Sequence, residues 1–401
     1  MAVIDNGVVT FTSRVVVGKS RYDHKTPEFS DEMTHLIVNP YWHVPKSIAR
    51  KEYLPMLKQD PQALEAARAA QQQAQQQLAV TADNLANGSG SLLALGQQDD
   101  ALTLQVAGQI DSGANGQIAS GGGLDINASG LTNGGLISAA NNLGLTLNTL
   151  ASSGRIEAGK QLTISGSQLK NSGVIIAGQD INLHSKGLLS NSGGTLFSQD
   201  GSLELVSASL ENTAGQIASN HNVTLTADNG LSNIGGLIQG TNVTADTNGN
   251  INNAQGQIIA QQLHLQGSNL DNSSGEIAAT QLNLKADAVK NTGGKLYSDG
   301  TGQGDFVLDI HSLSNDKGLV SSAMNNWQLA LDALSNGSGQ LVHLGGGQFD
   351  LTVDGAATSS GMIASNGALN LAANSIDNQG TVLAQNGLVV DTQGQLKNSG
   401  T

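Results

Sequence analysis

"LDNSSGEIAATQLNL", residues 270–284, holds no obvious chemistry, yet its pattern returns along most of the chain. "LKNSGVIIAGQDINL" begins at Leu169 and "IDNQGTVLAQNGLVV" at Ile376. Each copy joins an aliphatic-x-Asn triplet, a Gly-x-aliphatic step and an alternating apolar pair such as Leu282 and Leu284. The triplets end at Asn133, Asn171, Asn191, Asn212, Asn233, Asn253, Asn272, Asn291, Asn315, Asn336, Asn378 and Asn398. The aliphatic member of the step falls at Ile118, Ile137, Ile156, Ile175 and Leu196, and continues to Ile363 and Val382 at gaps of 19 to 24 residues. Three features in step over about fourteen units make internal repetition the dominant fact about this fold.

Alternation at period two means strands with one buried face. A unit of about 20 residues is too short for a pair of helices but suits one rung of a parallel β-helix. The sequence therefore predicts an all-β chain of about fourteen stacked rungs. Equivalent aliphatic residues would pile into narrow interior columns, where bulky rings fit poorly; aromatics are 3% of the chain. Glycine supplies turns with positive φ. The repeated asparagines are expected at turns, tolerating the left-handed region and bonding amide to amide between rungs.

Composition narrows the function. The chain has 401 residues, 12% charged, 51 of them glycine, and no cysteine. Thiolate metal sites, disulfides and cysteine nucleophiles are thereby excluded. A net charge of −14 argues against nucleic acid as a partner. No apolar run is long enough for a transmembrane helix. "MAVIDNGVVTFTSR" (1–14) has neither a basic nor an apolar signal-peptide region.

The chain also has a seam. All five prolines (Pro27, Pro40, Pro45, Pro55, Pro61) lie in the first 61 residues. Eight Lys/Arg and seven Asp/Glu precede residue 62; ten and twenty-five follow it. This divides the chain into an N-terminal fragment (1–61), an Ala/Gln-rich linker (62–88) and the repeat region (89–401), which stops in mid-unit at "LKNSGT". Good helix formers predict a helix over 63–79, and "NGSGS" (87–91) marks a break.

"LTNGGLISAANNLGLTL" (131–147) and "LENTAGQIASNHNVTL" (210–225) resemble the haemagglutinin repeats of filamentous haemagglutinin and other two-partner-secretion exoproteins, including contact-dependent growth-inhibition toxins. The resemblance covers about 89–401 and implies a right-handed β-helix at the bacterial cell surface, exported through an outer-membrane transporter. "RVVVGKSRYDHKTPEFSDEMTHLIVNPYWHVPKSIARKEYLPMLKQDP" (14–61) is similar to the opening of L,D-transpeptidase catalytic domains. That family's nucleophile is a cysteine beyond the matched part, so no catalytic residue carries over. The fragment is expected to form a hairpin around "DNG" (5–7) and part of a β-sandwich.

Few residues compete for a chemical role. His184 and His264 should point outward from different rungs, too far apart to share a metal. His24, His35 and His43 belong to the transpeptidase-like fragment. Asp299 and Asp305 flank Gly-rich turns in the insertion "YSDGTGQGDFVLDIHSLSND" (297–316), but fall short of a calcium loop. Trp327 is expected to pack at a widened rung. No catalytic residue, metal site or cofactor is assigned.

The function expected is the structural shaft of a secreted adhesin, bound to a receptor or glycan on a host or neighbouring cell. A stalk presenting a toxin, a polysaccharide-acting β-helix enzyme and an inert fusion product are the alternatives. The enzyme would need carboxylates gathered on one face, and the sequence repeats no acidic pair on adjacent rungs.

Overall fold

The computed structural model of the chain describes residues 77–401 and the strands Ala2–Asp5, Val8–Thr12 and Leu36–Ile37. From Leu78 onward the described residues wind in parallel β-solenoid turns, about sixteen in all. The sequence spacing led to about fourteen, because the first anchor counted was Ile118 and the solenoid already begins at Leu78. Two compact units divide the chain, Met1–Gly166 and Ser167–Thr401.

In the first unit, Ala2–Asp5 and Val8–Thr12 pair antiparallel across residues 6–7, where a hairpin was expected. The remainder of the β-sandwich reading, with His24, His35 and His43, lies outside the described residues. So do residues 63–76 of the expected helix, whose last part is corrected: Leu78–Ala82 is a strand. Its Leu78 and Val80 are buried and pair with Leu102 and Leu104, so tertiary packing of alternate side chains overrides local helix propensity. Leu85–Gly88, inside the segment read as a linker, and Ser91–Ala94, at the start of the repeat region, complete that turn. Leu36–Ile37, from the transpeptidase-like fragment, pairs parallel with Leu92 and Leu93. Ile118, Ile137 and Ile156 then stack in register, each fully buried.

In the second unit the rungs repeat three strand segments, in places merged into one strand, as in Glu276–Lys290. Ile175, Leu196, Ile217, Ile238, Ile258, Ile277, Leu296, Val320, Leu341 and Ile363 pair in one unbroken register. None exceeds 2% exposure. The alternating pair builds a second column, as in Leu263–Leu282 and Leu265–Leu284, and the triplet a third, as in Leu270–Val289. Parallel pairing brings identical positions together, so the repeat buries itself without long-range complementarity. In the last turn Leu383, Leu388, Val389, Val390 and Leu396 are exposed.

The interior is not wholly aliphatic. Phe306, Trp327 and Phe349 occupy it with ring centroids 5.4 and 4.3 Å apart, and the latter two rings lie within 9° of parallel. Rings stacked at this distance match the strand spacing of about 4.8 Å. Aromatic side chains are therefore admitted when they come as a stack rather than singly.

Candidate functional site

From Asn133 to Asn378 the repeated asparagines are buried; Asn398, in the last turn, is exposed. From Asn171 each Nδ2 donates to Oδ1 of the next: Asn191, Asn212, Asn233, Asn253, Asn272, Asn291, Asn315 and Asn336, at 2.7–2.9 Å. Asn336 meets Ser359 Oγ instead at 3.1 Å, and Asn378 donates to Asn398 at 2.7 Å. In the first unit Asn133 donates to Ser152 at 3.3 Å. A carboxamide has both donor and acceptor on one planar group, so a column of them closes its own hydrogen bonds.

The left-handed residue is not the asparagine. Ala214, Gln255, Ser274, Lys317 and Ser338 have φ of 52–59°, each two places after a ladder asparagine, as do Gly193, Gly235 and Gly293. The next residue is a glycine whose N–H returns to the asparagine carbonyl, as Gly256 does to Asn253 at 3.0 Å. A Cβ on Gly256 would stand 2.1 Å from the Asn233 carbonyl oxygen. Asn-x-x-Gly is thus a turn in which the glycine answers to the rung below. At Asn171 and Asn378 the corner is one residue tighter, and Gly173 and Gly380 donate to the Oδ1 atoms.

A second buried polar column holds small residues: Ser198 and Ser219 in register, and further along Ser298, Ser322, His343 and Ser365. Ser198, Ser219 and Ser298 donate to corner carbonyls of Gln179, Gly201 and Thr280 at 2.7 Å. His343, fully buried, does the same with a longer reach: its Nε2 lies 2.8 Å from the Met324 carbonyl. A carbonyl only accepts, so Nε2 carries a hydrogen toward it, and Nδ1 lies 2.9 Å from Ser365 Oγ. The sequence reading passed over His343. Aligning the residue two places after each anchor, where other rungs carry Ser or Ala, exposes it.

Outward-facing groups are sparse. His184 is exposed, and His264 is half-buried with Nε2 3.4 Å from Asp246 Oδ1. Asp299 is exposed, whereas Asp305 turns back on its own loop, accepting from Gly302 N at 2.6 Å and Gln281 Nε2 at 3.2 Å. Trp327 belongs to the interior, and its Nε1 has no partner among the described residues. Burial pushes the Asp271 carboxyl upward, but hydrogen bonds from the Ser273 hydroxyl and N–H and from Lys290 outweigh it and hold the group below its ordinary value. Burial, reinforced by nearby Asp100, raises Asp125.

The insertion loop walls one pocket. Asn242 pairs in register with Gln262, and Gln262 with Gln281; Thr244, His264 and Asn283 follow the same three rungs. Gln303, Gly304 and Asp305 close its side, leaving about 380 Å³. A larger groove of about 740 Å³ runs over the triplet strands, past Asn269, Asp271 and Lys290.

The sequence model of the haemagglutinin repeat matches residues 99–146, 138–193, 199–267 and 344–400. That of the L,D-transpeptidase catalytic domain matches residues 1–100, running past residue 61 into the solenoid's first turn. No curated protein and no solved structure matches the chain. The repeat matches cover more than half of it, and the chain belongs to the haemagglutinin-repeat family.

Proposed function

We propose that the solenoid is the non-catalytic shaft of a secreted, surface-exposed adhesin. The observation carrying this is the ladder from Asn171 to Asn336, a buried column that serves stacking and presents no reactive group to solvent. Serine, asparagine, glutamine and threonine dominate the outward positions, a surface suited to many weak contacts. The family background supplies the remaining context: export through a two-partner-secretion transporter and a receptor on a host or neighbouring cell. The transpeptidase-like segment is read as an inactive remnant, since the chain has no cysteine to serve as that family's nucleophile.

The test is adhesion by the purified chain. Beads coated with it should attach to epithelial or bacterial cells above albumin-coated controls, and the chain should show no L,D-transpeptidase turnover. Attachment no greater than albumin's removes the adhesive reading.

A further inference from the structure

The 24-residue unit from Leu296 to Val320 is longer than its neighbours: it still sends Phe306, Leu308, Ile310 and Leu313 to the core, but its extra residues do not serve it. Its extra length forms the loop of residues 299–305, which folds around one carboxylate: Gly300 and Gly302 have no room for a Cβ against Asp305. The loop's end is pinned by Leu282 N, which donates to the Asp305 carbonyl at 2.7 Å. The loop and Gln281 and Asn283 fall in 268–343, between the segments that match the family's repeat. Insertions in a repeat fold gather on one face and often mark where it binds.

Side chains in the pocket select its ligand. The side chains of Thr244, Gln262 and Asn283 make no hydrogen bond within the described residues. Elsewhere outward amides pair with each other, as Asn269 does with Asn250 at 2.9 Å. Each free carboxamide offers two N–H donors beside a carbonyl acceptor, and the threonine adds a hydroxyl. No lysine or arginine lines the pocket, and its one imidazole, His264, is turned to Asp246 at 3.4 Å, so no free cationic group is there to balance a phosphate, sulfate or carboxylate. Asp305 is its one carboxylate, too few oxygen ligands for a hard cation. No apolar side chain points into it to seat a peptide's side chain; Val243, Leu263 and Leu282 face the core. A volume of about 380 Å³ sits at the small end of ligand sites, roughly 300–1,000 Å³.

We propose that this pocket binds the vicinal hydroxyl groups of a neutral saccharide, through Gln262, Asn283 and Thr244, with the 299–305 loop as its wall. The proposal deepens the adhesive reading, on which it rests for its biological setting. Without an aromatic platform the single-site affinity is weak, in the millimolar range, and attachment depends on many copies presented together.

Saturation-transfer NMR on the full chain tests it. The probes are methyl glycosides of glucose, galactose and mannose, with a heparin tetrasaccharide and glucose 6-phosphate as charged controls. At least one neutral glycoside should give transfer, weakened about tenfold in affinity by Gln262→Leu with Asn283→Leu, two hydrogen bonds lost together. Both positions face outward, and hydrogen exchange over Asn171–Asn336 should stay unchanged, separating lost binding from lost folding. Gln303→Ala provides a second, milder loss. No transfer from any neutral glycoside, transfer equal in the double variant, or binding of the charged controls alone overturns the proposal. The bead assay keeps the two readings apart: beads that adhere equally with and without the pocket substitutions leave the adhesin standing and remove the saccharide site.

Discussion

Asn253 Nδ2 donates to Asn272 Oδ1 at 2.7 Å, one rung away, and the same nitrogen lies 3.2 Å from the carbonyl of Gly256 in its own turn. One side chain thereby ties a turn to itself and to its neighbour. Because both atoms are buried, each bond is worth more for what its loss would strand than for its own strength.

Replacing Asn253 separates these contributions. Asn253→Leu strands the Asn233 donor and the Asn272 acceptor and should destabilise the chain by roughly 2–4 kcal/mol, at about 1–3 per stranded group. Asn253→Ser should be milder, since serines 152 and 359 already serve as ladder acceptors. Asn253→Asp should be the worst, because a carboxylate has no donor for Asn272 and is costly to bury. Urea unfolding, read beside hydrogen exchange at rungs 230–290, checks the order.

The two kinds of corner glycine should respond differently. Gly256→Ala drives a methyl to 2.1 Å from the Asn233 carbonyl and should break the local stack. Gly235→Ala places its methyl in open space, at a position where other rungs hold Ala214 or Gln255, and should cost only about 1 kcal/mol. Comparable losses for the two variants would contradict this account of the turn.

Two carboxylates should give opposite pH signatures. Asp271 titrates below its ordinary value of 3.8, so the stability it contributes is present above that value and is lost as pH falls through the lowered one. Asp271→Asn should thus destabilise at neutral pH and lose its effect in strong acid. Asp125 titrates above 3.8, so its penalty to the folded state appears as pH rises past 3.8 and is complete above the raised value. Asp125→Asn should stabilise at neutral pH and be silent in strong acid. Thermal melts across the acid range decide both.

Trp327 tests the aromatic interior. Its Nε1 has no partner among the described residues, so Trp327→Phe removes a stranded donor while keeping a ring between Phe306 and Phe349. The loss should stay near 1 kcal/mol, against about 3–5 kcal/mol for Trp327→Ala. His343→Ala should fall between these, since it leaves the Met324 carbonyl without its donor. Calorimetry on the three variants ranks them.

The columns were legible in the sequence because the repeat writes them three times per rung: Ile277, Leu284 and Asn291 each recur at equivalent places. Missed were features carried by a single copy. His343 looked like any surface histidine because its burial depends on pairing with Ser322 and Ser365, residues about twenty places away on either side. Leu78 read as helix because its partner, Leu102, precedes the first anchor recognised. The left-handed site two places beyond the asparagines from Asn191 to Asn336 was hidden because lysine, glutamine, serine, alanine and glycine all occupy it. The pocket required knowing which outward residues a loop overhangs.

Interchangeable rungs carry a hazard of their own. A strand arriving one rung early finds almost the same aliphatic column and the same waiting amide, so the repeat by itself scarcely distinguishes neighbouring addresses. Phe306, Trp327, Phe349 and His343 cannot be exchanged with the residues of other rungs. A chain threaded one step out of place would separate the rings and strand the imidazole, leaving this block as the landmark by which the folding chain keeps count.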